Sequence, residues 1–424
     1  LPILHGQEQT KKSWKFLNWQ PTQNNKAGIK PMQQKPSILL IHNTYLQKGG
    51  EDSIVEQEIN SLKQAHYPVF VLFFKNSSKN IQSIIRYPFQ LFFNLSAFIK
   101  VYRLVKKHHV DIVHVHNFYY KASPAVFWAA KWAGAHTIFT VHNYRLFCLN
   151  GLLFYQNQPC MICHQQQSFA TGIERKCFKE SGFFSWALAK ANGWHKKINT
   201  YSKKIDRFVV INPLQEQLLL DIGIEPAKIR YKPNFLTGFS NVKPPLFETR
   251  KPFYLFVGRL SEEKGIKDLV EAFKENGKSL LIVGDGPLAD WVQQATNEKI
   301  RYSKAIPRES LEALYASCSA LILPSRWYEG QPMTIIEAQN SGAIVIAAFS
   351  NNMSTMIENE VNGFLYPIQP NYQLNHVISI FESLSIKAKD EMSKAAHQHF
   401  LKTYTLERHV DALKQLYHFE PISK

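Results

Sequence analysis

The feature that most constrains this 424-residue chain is a series of short, unbroken apolar runs, each followed by an amphipathic stretch. From Pro36, "PSILLIHN" reads as a buried strand, "EDSIVEQEINSLKQA" as a helix and "YPVFVLFF" as a second strand. A long helical region is expected over Asn80–His108, and "DIVHVHN", "AHTIFTVHN" and "DRFVVIN" continue the strands. A strand wet on one face alternates apolar with polar residues. These runs do not alternate, so both faces must be covered, as in parallel strands under helices. After a Pro-, Asn- and Gly-rich stretch, Tyr231–Pro252, the rhythm restarts with "FYLFVG", "LLIVGDG", "ALILPS", "AIVIAA" and "GFLYP". The predicted fold is α/β, with two doubly wound, Rossmann-like domains facing a central cleft. The first covers 36–235, a linker 236–252 and the second 253–400. A final helix over 401–424 carries an apolar stripe at Leu406, Val410, Leu413 and Tyr417.

Two segments fall outside this rhythm. Residues 1–35 are rich in Gln, Lys, Asn and Pro and are expected to be a disordered extension, with Met32 as the native start. Residues 144–180 have no period and read as an inserted loop module holding four of the five cysteines. Charge is also uneven. Residues 36–250 carry 26 Lys and Arg against 12 Asp and Glu, a balance of +14, whereas residues 251–424 come to −2. A basic first half suits an anionic partner. Nucleic acid is disfavoured because no recognition motif with interleaved aromatics occurs.

Three motifs carry chemistry. In "FVGRLSEEKGIKDLVEAF" a strand ends at Val257 and a helix starts near Gly265, leaving Gly258, Arg259 and Lys264 in the turn. Two cations beside the positive end of a helix can hold a diphosphate. "LLIVGDGPL" places Gly284 and Gly286 after a strand but lacks a full dinucleotide fingerprint. In "YEGQPMTIIEAQNSG", Pro332 suits a helix start and Gly342 a helix stop. Glu329 then precedes the helix and Glu337 lies a turn inside it. Glu337 could clamp a vicinal diol such as ribose, or be a structural glutamate paired with Arg326.

Taken together, "FVGRLSEEKG", "VGDGP" and the Glu-x7-Glu of "EGQPMTIIE" resemble the retaining glycosyltransferases of family 4, which have the GT-B fold. The resemblance runs from about residue 36 to the final helix, which in that family crosses back onto the first domain. It implies a nucleotide-sugar donor, UDP- or GDP-linked, and a saccharide or lipid-linked acceptor in cell-surface polysaccharide or lipopolysaccharide synthesis. The alternative is a small soluble acceptor such as a sugar phosphate. Arg259 and Lys264 would hold the departing diphosphate, Glu337 the ribose and Glu329 the transferred sugar. The backbone of Gly330, Gln331, Pro332 and Met333 would touch sugar and phosphate. Gly49 and Gly50, with Gly258 and Gly284, would let backbone approach the donor, and His116 would stand near the reaction centre. Gln331 departs from the family, where an apolar residue is common. No Asp-x-Asp cluster occurs, so catalysis without a metal ion is expected, with the leaving phosphate taking the acceptor proton on the retained face.

Cys148, Cys160, Cys163 and Cys177 are spaced C-x11-C-x2-C-x13-C. Four thiolates with a central CxxC can close a tetrahedral structural zinc site; two disulfides or free thiols are the alternatives. Cys318 reads as a core residue. "IIRYPFQLFFNLSAFIKVYRLVKKHH" combines Phe and Leu with Arg86, Lys100, Arg103, Lys106 and Lys107. With the basic half-chain this predicts a cytoplasmic protein peripheral at an anionic inner membrane face.

Overall fold

A computed structural model describes residues 35–44, 50–75, 90–239, 243–350, 352–367 and 373–419. Gly49, Arg86 and the N-terminal extension lie outside the described residues. The first sheet is parallel, in the order β2-β1-β3-β4-β7-β8. Its strands are β1 (Ile38–Thr44), β2 (Val69–Lys75), β3 (Ile112–Asn117), β4 (His136–Val141), β7 (Arg207–Val210) and β8 (Ile229–Tyr231). A small antiparallel hairpin, β5 (Phe154–Tyr155) with β6 (Gln158–Pro159), lies within the insertion. The second parallel sheet runs β11-β10-β9-β12-β13-β14. It is built from β9 (Tyr254–Val257), β10 (Leu280–Val283), β11 (Ile300–Ser303), β12 (Ala320–Leu323), β13 (Ile344–Ala348) and β14 (Gly363–Tyr366).

Both sheets wind one way and then reverse. The chain leaves β1 for β2 and returns to place β3 on the other side of β1; β9, β10 and β12 repeat the manoeuvre. Neighbouring crossovers diverge at such a switch point, so a crevice opens beyond the strand ends. The crevice of the first sheet follows β1 and β3. That of the second follows β9 and β12, where "GRLSEEKG" and "PSRWYEG" begin.

The unbroken apolar runs are covered on both faces in the central strands: every residue of β3, β9, β12 and β13 is buried. β2 differs. It is equally apolar, yet Val71 and Phe73 are exposed, because β2 is an edge strand paired only with β1 among the described residues. Of the helical region expected over Asn80–His108, residues 80–89 lie outside the described residues, and Leu95–His108 is a helix. Asn94 caps it by accepting from the Ser96 and Ala97 amides, and Lys106, Lys107 and His108 occupy its last turn.

The final helix, Leu406–Leu416, packs on the first sheet: Leu413, Leu416 and Tyr417 join Ile38, Ile112, Ile138 and Val209 in one cluster. Its fully buried stripe runs through His409, Leu413 and Leu416, while Leu406 and Val410 are half-buried. The polar His409 fits because its ring stacks on Phe235 at 3.5 Å between centroids.

His195, in the Gly182–Lys197 helix, locks a corner of the first domain. It makes hydrogen bonds with the Phe92 carbonyl (2.6 Å) through Nε2 and with the Thr200 hydroxyl (2.8 Å) through Nδ1. Burial pushes its pKa down to about 4, the Phe92 bond opposing only part of the effect. The folded ring therefore stays neutral while an unfolded one takes a proton near pH 6.5. Stability from this site is complete above about pH 6.5 and is lost as pH falls toward 4. At pH 5 the loss is about 2 kcal/mol. Thermal unfolding at pH 7.5 and 5.0 should show His195→Gln losing less on acidification than the wild-type chain; an equal loss would refute the assignment.

Candidate active-site cleft

The turn after β9 and the loop after β12 are stitched into one surface. Gly265, with φ +68°, closes the turn and starts the Ile266–Asn276 helix. A side chain there would collide with the Pro324 carbonyl, so only glycine lets the two loops touch. The Arg326 amide donates to the Glu263 carbonyl (2.9 Å), and its guanidinium forks onto Asp268 at 2.5 and 2.6 Å. Arg326 therefore serves the scaffold and is no partner of Glu337. Lys264 Nζ donates to Glu329 Oε1 (2.5 Å), and the Ser325 hydroxyl donates to the same oxygen (2.6 Å). Arg259 is exposed in the turn after β9, with no hydrogen bond or ion pair among the described residues.

The Met333–Asn340 helix rises from this surface. Pro332 is its N-cap residue and no side chain caps the first turn, so its amides remain available to an anion. The opposite end is heavily satisfied. Arg250, in the crossover between domains, donates to the Ser341 and Gly342 carbonyls, both at 3.0 Å, and to the Tyr315 carbonyl at 2.9 Å. Ser393 donates to the Gly342 carbonyl and His397 binds the Asn340 carbonyl. A cation at the negative end and a bare positive end orient the helix dipole along the direction an anionic ligand needs.

Glu337 lies one turn in and is half-buried. Its Oε2 accepts from the Tyr315 hydroxyl (2.9 Å). Burial raises its pKa, with the Tyr315 hydrogen bond and the Arg308 charge pulling the other way. Gln331 is buried and its Oε1 accepts from the Asn234 amide (2.5 Å), which ties the loop to the crossover. Gly284 and Gly286 meet backbone: side chains there would run into the carbonyls of Gly258 and Leu260. Close strand-end packing thus accounts for "VGDGP".

The first domain faces this loop closely. A methyl group on Gly330 would come within 3.4 Å of Ile211 Cδ1 and 3.7 Å of the His142 carbonyl. Asn212 Nδ2 donates to the Gly330 carbonyl (2.8 Å), and Asn352 Nδ2 donates to the Glu329 carbonyl (2.6 Å). The buried Tyr144 hydroxyl accepts from Asn352 (2.9 Å) and reaches the Glu329 carbonyl at 3.4 Å. Tyr144 is thereby a strut from the first domain onto the loop that carries Glu329. Around Gly50, which opens the Gly50–Gln64 helix, an added side chain would meet nothing within 4 Å.

His116 is buried, only 1% exposed. Its Nε2 is 3.3 Å from Glu58 Oε1, and its Nδ1 is 2.9 Å from His142 Nε2. His142, after the "TV" of "TVHN", is half-buried, and its backbone carbonyl is what faces Gly330. Burial holds the His142 pKa well below the usual histidine range, and the neighbouring His116 and His42 rings add to the effect. Sequence reading missed His142, Tyr144, Asn212, Asn234, Lys232 and Asn352. The final His-Asn of "TVHN" was a usable signal for His142, since it repeats the end of "HVHN".

Comparison with known proteins gives a consistent picture. Residues 48–236 match the family described as Glycosyltransferase Family 4, and residues 240–399 match Glycosyl transferases group 1. The chain is 25% identical over 351 residues to the UDP-Gal:alpha-D-GlcNAc-diphosphoundecaprenol alpha-1,3-galactosyltransferase of Escherichia coli, covering 76% of this chain and 79% of that one. Its structure is similar to a glycosyltransferase from Rickettsia africae ESF-5, with TM-score 0.64, 18% identity and coverage of 91% and 98%. It is also similar to Anabaena HepE in complex with UDP, with TM-score 0.61, 15% identity and coverage of 90% and 99%.

Removing the Arg250 side chain would leave several helix-end carbonyls without a donor. Hydrogen bonds from a charged donor are worth about 1.5–3 kcal/mol each, with part recovered by water. Arg250→Ala should therefore cost about 2–4 kcal/mol overall. It should also weaken donor binding, because the dipole of the site helix loses its anchor. Thermal unfolding with and without nucleotide sugar measures both effects.

Proposed function

Since the chain belongs to the family 4 glycosyltransferases and has their GT-B fold, we propose that it moves a sugar from a UDP- or GDP-linked donor to a lipid-linked or saccharide acceptor. Transfer proceeds with retention, in the assembly of a cell-surface polysaccharide or lipopolysaccharide. The observation that carries this reading is Lys264 held on Glu329 in the loop that leads into the uncapped first turn of Met333–Asn340, with Arg259 exposed in the turn after β9. The E. coli relative is named for a UDP-linked donor and a diphosphoundecaprenol acceptor, and the Anabaena neighbour holds UDP. Both favour a UDP donor here.

Cleaving the sugar–phosphate bond develops positive charge on the sugar and negative charge on the diphosphate. Arg259, Lys264 and the amides of Gly330, Gln331 and Met333 stabilise the negative part. Glu329 and Ser325 hold the Lys264 ammonium ready, so little reorganisation is needed during reaction. Glu329 Oε2 is left for a sugar hydroxyl and Glu337 Oε1 for the ribose, while Tyr315 fixes the Glu337 carboxylate in place. The leaving diphosphate takes the acceptor proton on the retained face. His116 stands near the sugar, with its Nδ1 2.9 Å from His142 Nε2.

The acceptor reading draws support from an aromatic and basic surface on the first domain. Leu95 (61% exposed), Trp132 (64%) and Phe183 (59%) are large apolar groups in solvent, with Ile99, Tyr102, Trp186 and Trp194 exposed as well. Phe98 packs against both Trp132 and Tyr102, and Phe92 lies beside Trp194, so the aromatics are linked across helices. Lys100, Arg103, Lys106 and Lys107 are exposed on the same helix as Leu95. Apolar residues flanked by cations fit the interface of an anionic bilayer, where a lipid-linked acceptor would be presented.

Two measurements test this reading. Arg259→Ala/Lys264→Ala should stay folded, at a lower melting temperature because Glu329 loses its partner, while kcat falls at least about 10³-fold; wild-type turnover would remove the assignment. In flotation assays the chain should rise with vesicles containing anionic lipid and stay down with neutral ones. Leu95→Ser/Trp132→Ser should weaken that capture. Equal behaviour with both vesicle types would instead favour a small soluble acceptor.

A further inference from the structure

We propose that Cys148, Cys160, Cys163 and Cys177 bind one structural zinc ion, and that this ion braces the loop carrying the Tyr144 strut at the donor cleft. The four thiols come from separate pieces of the insertion. Cys148 sits in the turn after β4, Cys160 just past the β5–β6 hairpin, Cys163 in the short Ile162–Gln165 helix and Cys177 beyond the Ala170–Glu174 helix. All four line one small hollow, together with Leu149, Phe154 and Gly172, and none is in a disulfide. The neighbourhood is built around sulfur: a side chain at Gly172 would come to 3.0 Å from Cys163 Sγ. A hairpin followed directly by Cys-x-x-Cys presents two thiols from one turn, and the other two complete a tetrahedral set.

Charge supports the same reading. Zinc with four thiolates carries a net −2, because each thiol gives its proton to solvent on binding. The Arg175 guanidinium lies 3.8 Å from Cys160 Sγ and rests on the Tyr155 ring at 4.4 Å, where it would offset part of that charge. Cys148 Sγ, meanwhile, points a hydrogen bond at Asn150 Oδ1 (3.0 Å). The sulfurs are more widely spread than a closed zinc site requires, so binding must draw them inward. Among the described residues, the group with three ligand atoms within 4.8 Å of one another is Glu58, His114 and His116. That group already has its cation, because Lys232 Nζ is 2.8 Å from Glu58 Oε2. Both ring nitrogens of His114 are engaged as well, with Thr140 and Tyr417.

The link to the cleft is covalent and short. The Cys148 amide donates to the Tyr144 carbonyl (2.8 Å), the Tyr144 amide to Gly151 (3.2 Å) and the Gly151 amide to Cys148 (3.0 Å). Fixing Cys148 therefore fixes Tyr144, whose hydroxyl meets Asn352 and the Glu329 carbonyl. Leu149, Leu153 and Phe178 anchor the insertion in the core of the first domain, but its regular structure is slight, with helices of four and five residues and a hairpin of two residues per strand.

The chain purified without chelators should contain about one zinc per molecule by elemental analysis. Cobalt substitution should give intense thiolate-to-metal charge-transfer absorption. A mercurial titration should release the zinc as about four thiols react. Cys160→Ser/Cys163→Ser should lose the metal and, where it stays folded, raise the donor KM several-fold more than it lowers kcat. Tyr144→Phe in the zinc-loaded chain should shift KM in the same direction, which separates the strut from general unfolding. Less than about 0.2 zinc per chain with all four thiols freely reactive would overturn the proposal. So would an intact mass showing two disulfides. Neither result bears on the transferase reading, which wild-type turnover decides separately.

Discussion

The buried ion pair of Glu58 and Lys232 joins four separate elements of this molecule on one carboxylate. Lys232 follows β8 where the chain leaves the first sheet, Glu58 lies in the first helix, and neither is more than 5% exposed. Burial alone would raise the Glu58 carboxyl, but Lys232 with the His116 and His114 rings holds it well below the usual carboxylate range. His114 Nδ1 and His116 Nε2 each stand 3.3 Å from Glu58 Oε1, and His409 of the final helix stands 3.8 Å from Oε2. The first helix, β3, the crossover and the C-terminal helix thus meet on one carboxylate. Removing one partner of such a pair strands a charge in the interior and typically costs about 3–5 kcal/mol, so all four elements are held in a single arrangement.

The cleft inherits its geometry from that arrangement. The crossover leaving Lys232 passes Asn234, whose amide binds Gln331, and Leu236, whose amide binds the Tyr404 carbonyl. Farther on it reaches Arg250, which grips the far end of the site helix. The loop with Glu329 and Gly330 is therefore held from behind by the crossover and in front by Tyr144, Asn212 and Asn352. A site so heavily positioned has little freedom to lose when a donor binds, and less ordering entropy is charged against affinity.

Much of this was legible in the sequence. Parallel sheets under helices followed from apolar runs without alternation, and the two domains from the restart of the pattern after Pro252. Pro332 and Gly342 marked the ends of the site helix within a residue or two, because both act through local backbone geometry. The pairing partners were not legible. Arg326 reads as a natural partner for Glu337, yet it binds Asp268, 58 positions away. The Gln331 side chain binds the Asn234 amide of the crossover, 97 positions away. His116 ends up beside Glu58 and His142, neighbours that no local pattern announces.

By itself the sequence determined what local rules govern: strand and helix periods, caps, the glycine that lets Gly265 turn, the four spaced cysteines and the family that these motifs share. Only the tertiary structure decided which carboxylate holds which cation, and that Arg250 and Tyr144 brace the loop and helix of the candidate site at all. The physical reason is distance along the chain. A cap or a turn is settled by neighbours a few residues apart. A buried charge or hydroxyl takes whichever partner the packed sheets bring within about 3 Å, and that partner can lie anywhere in the sequence.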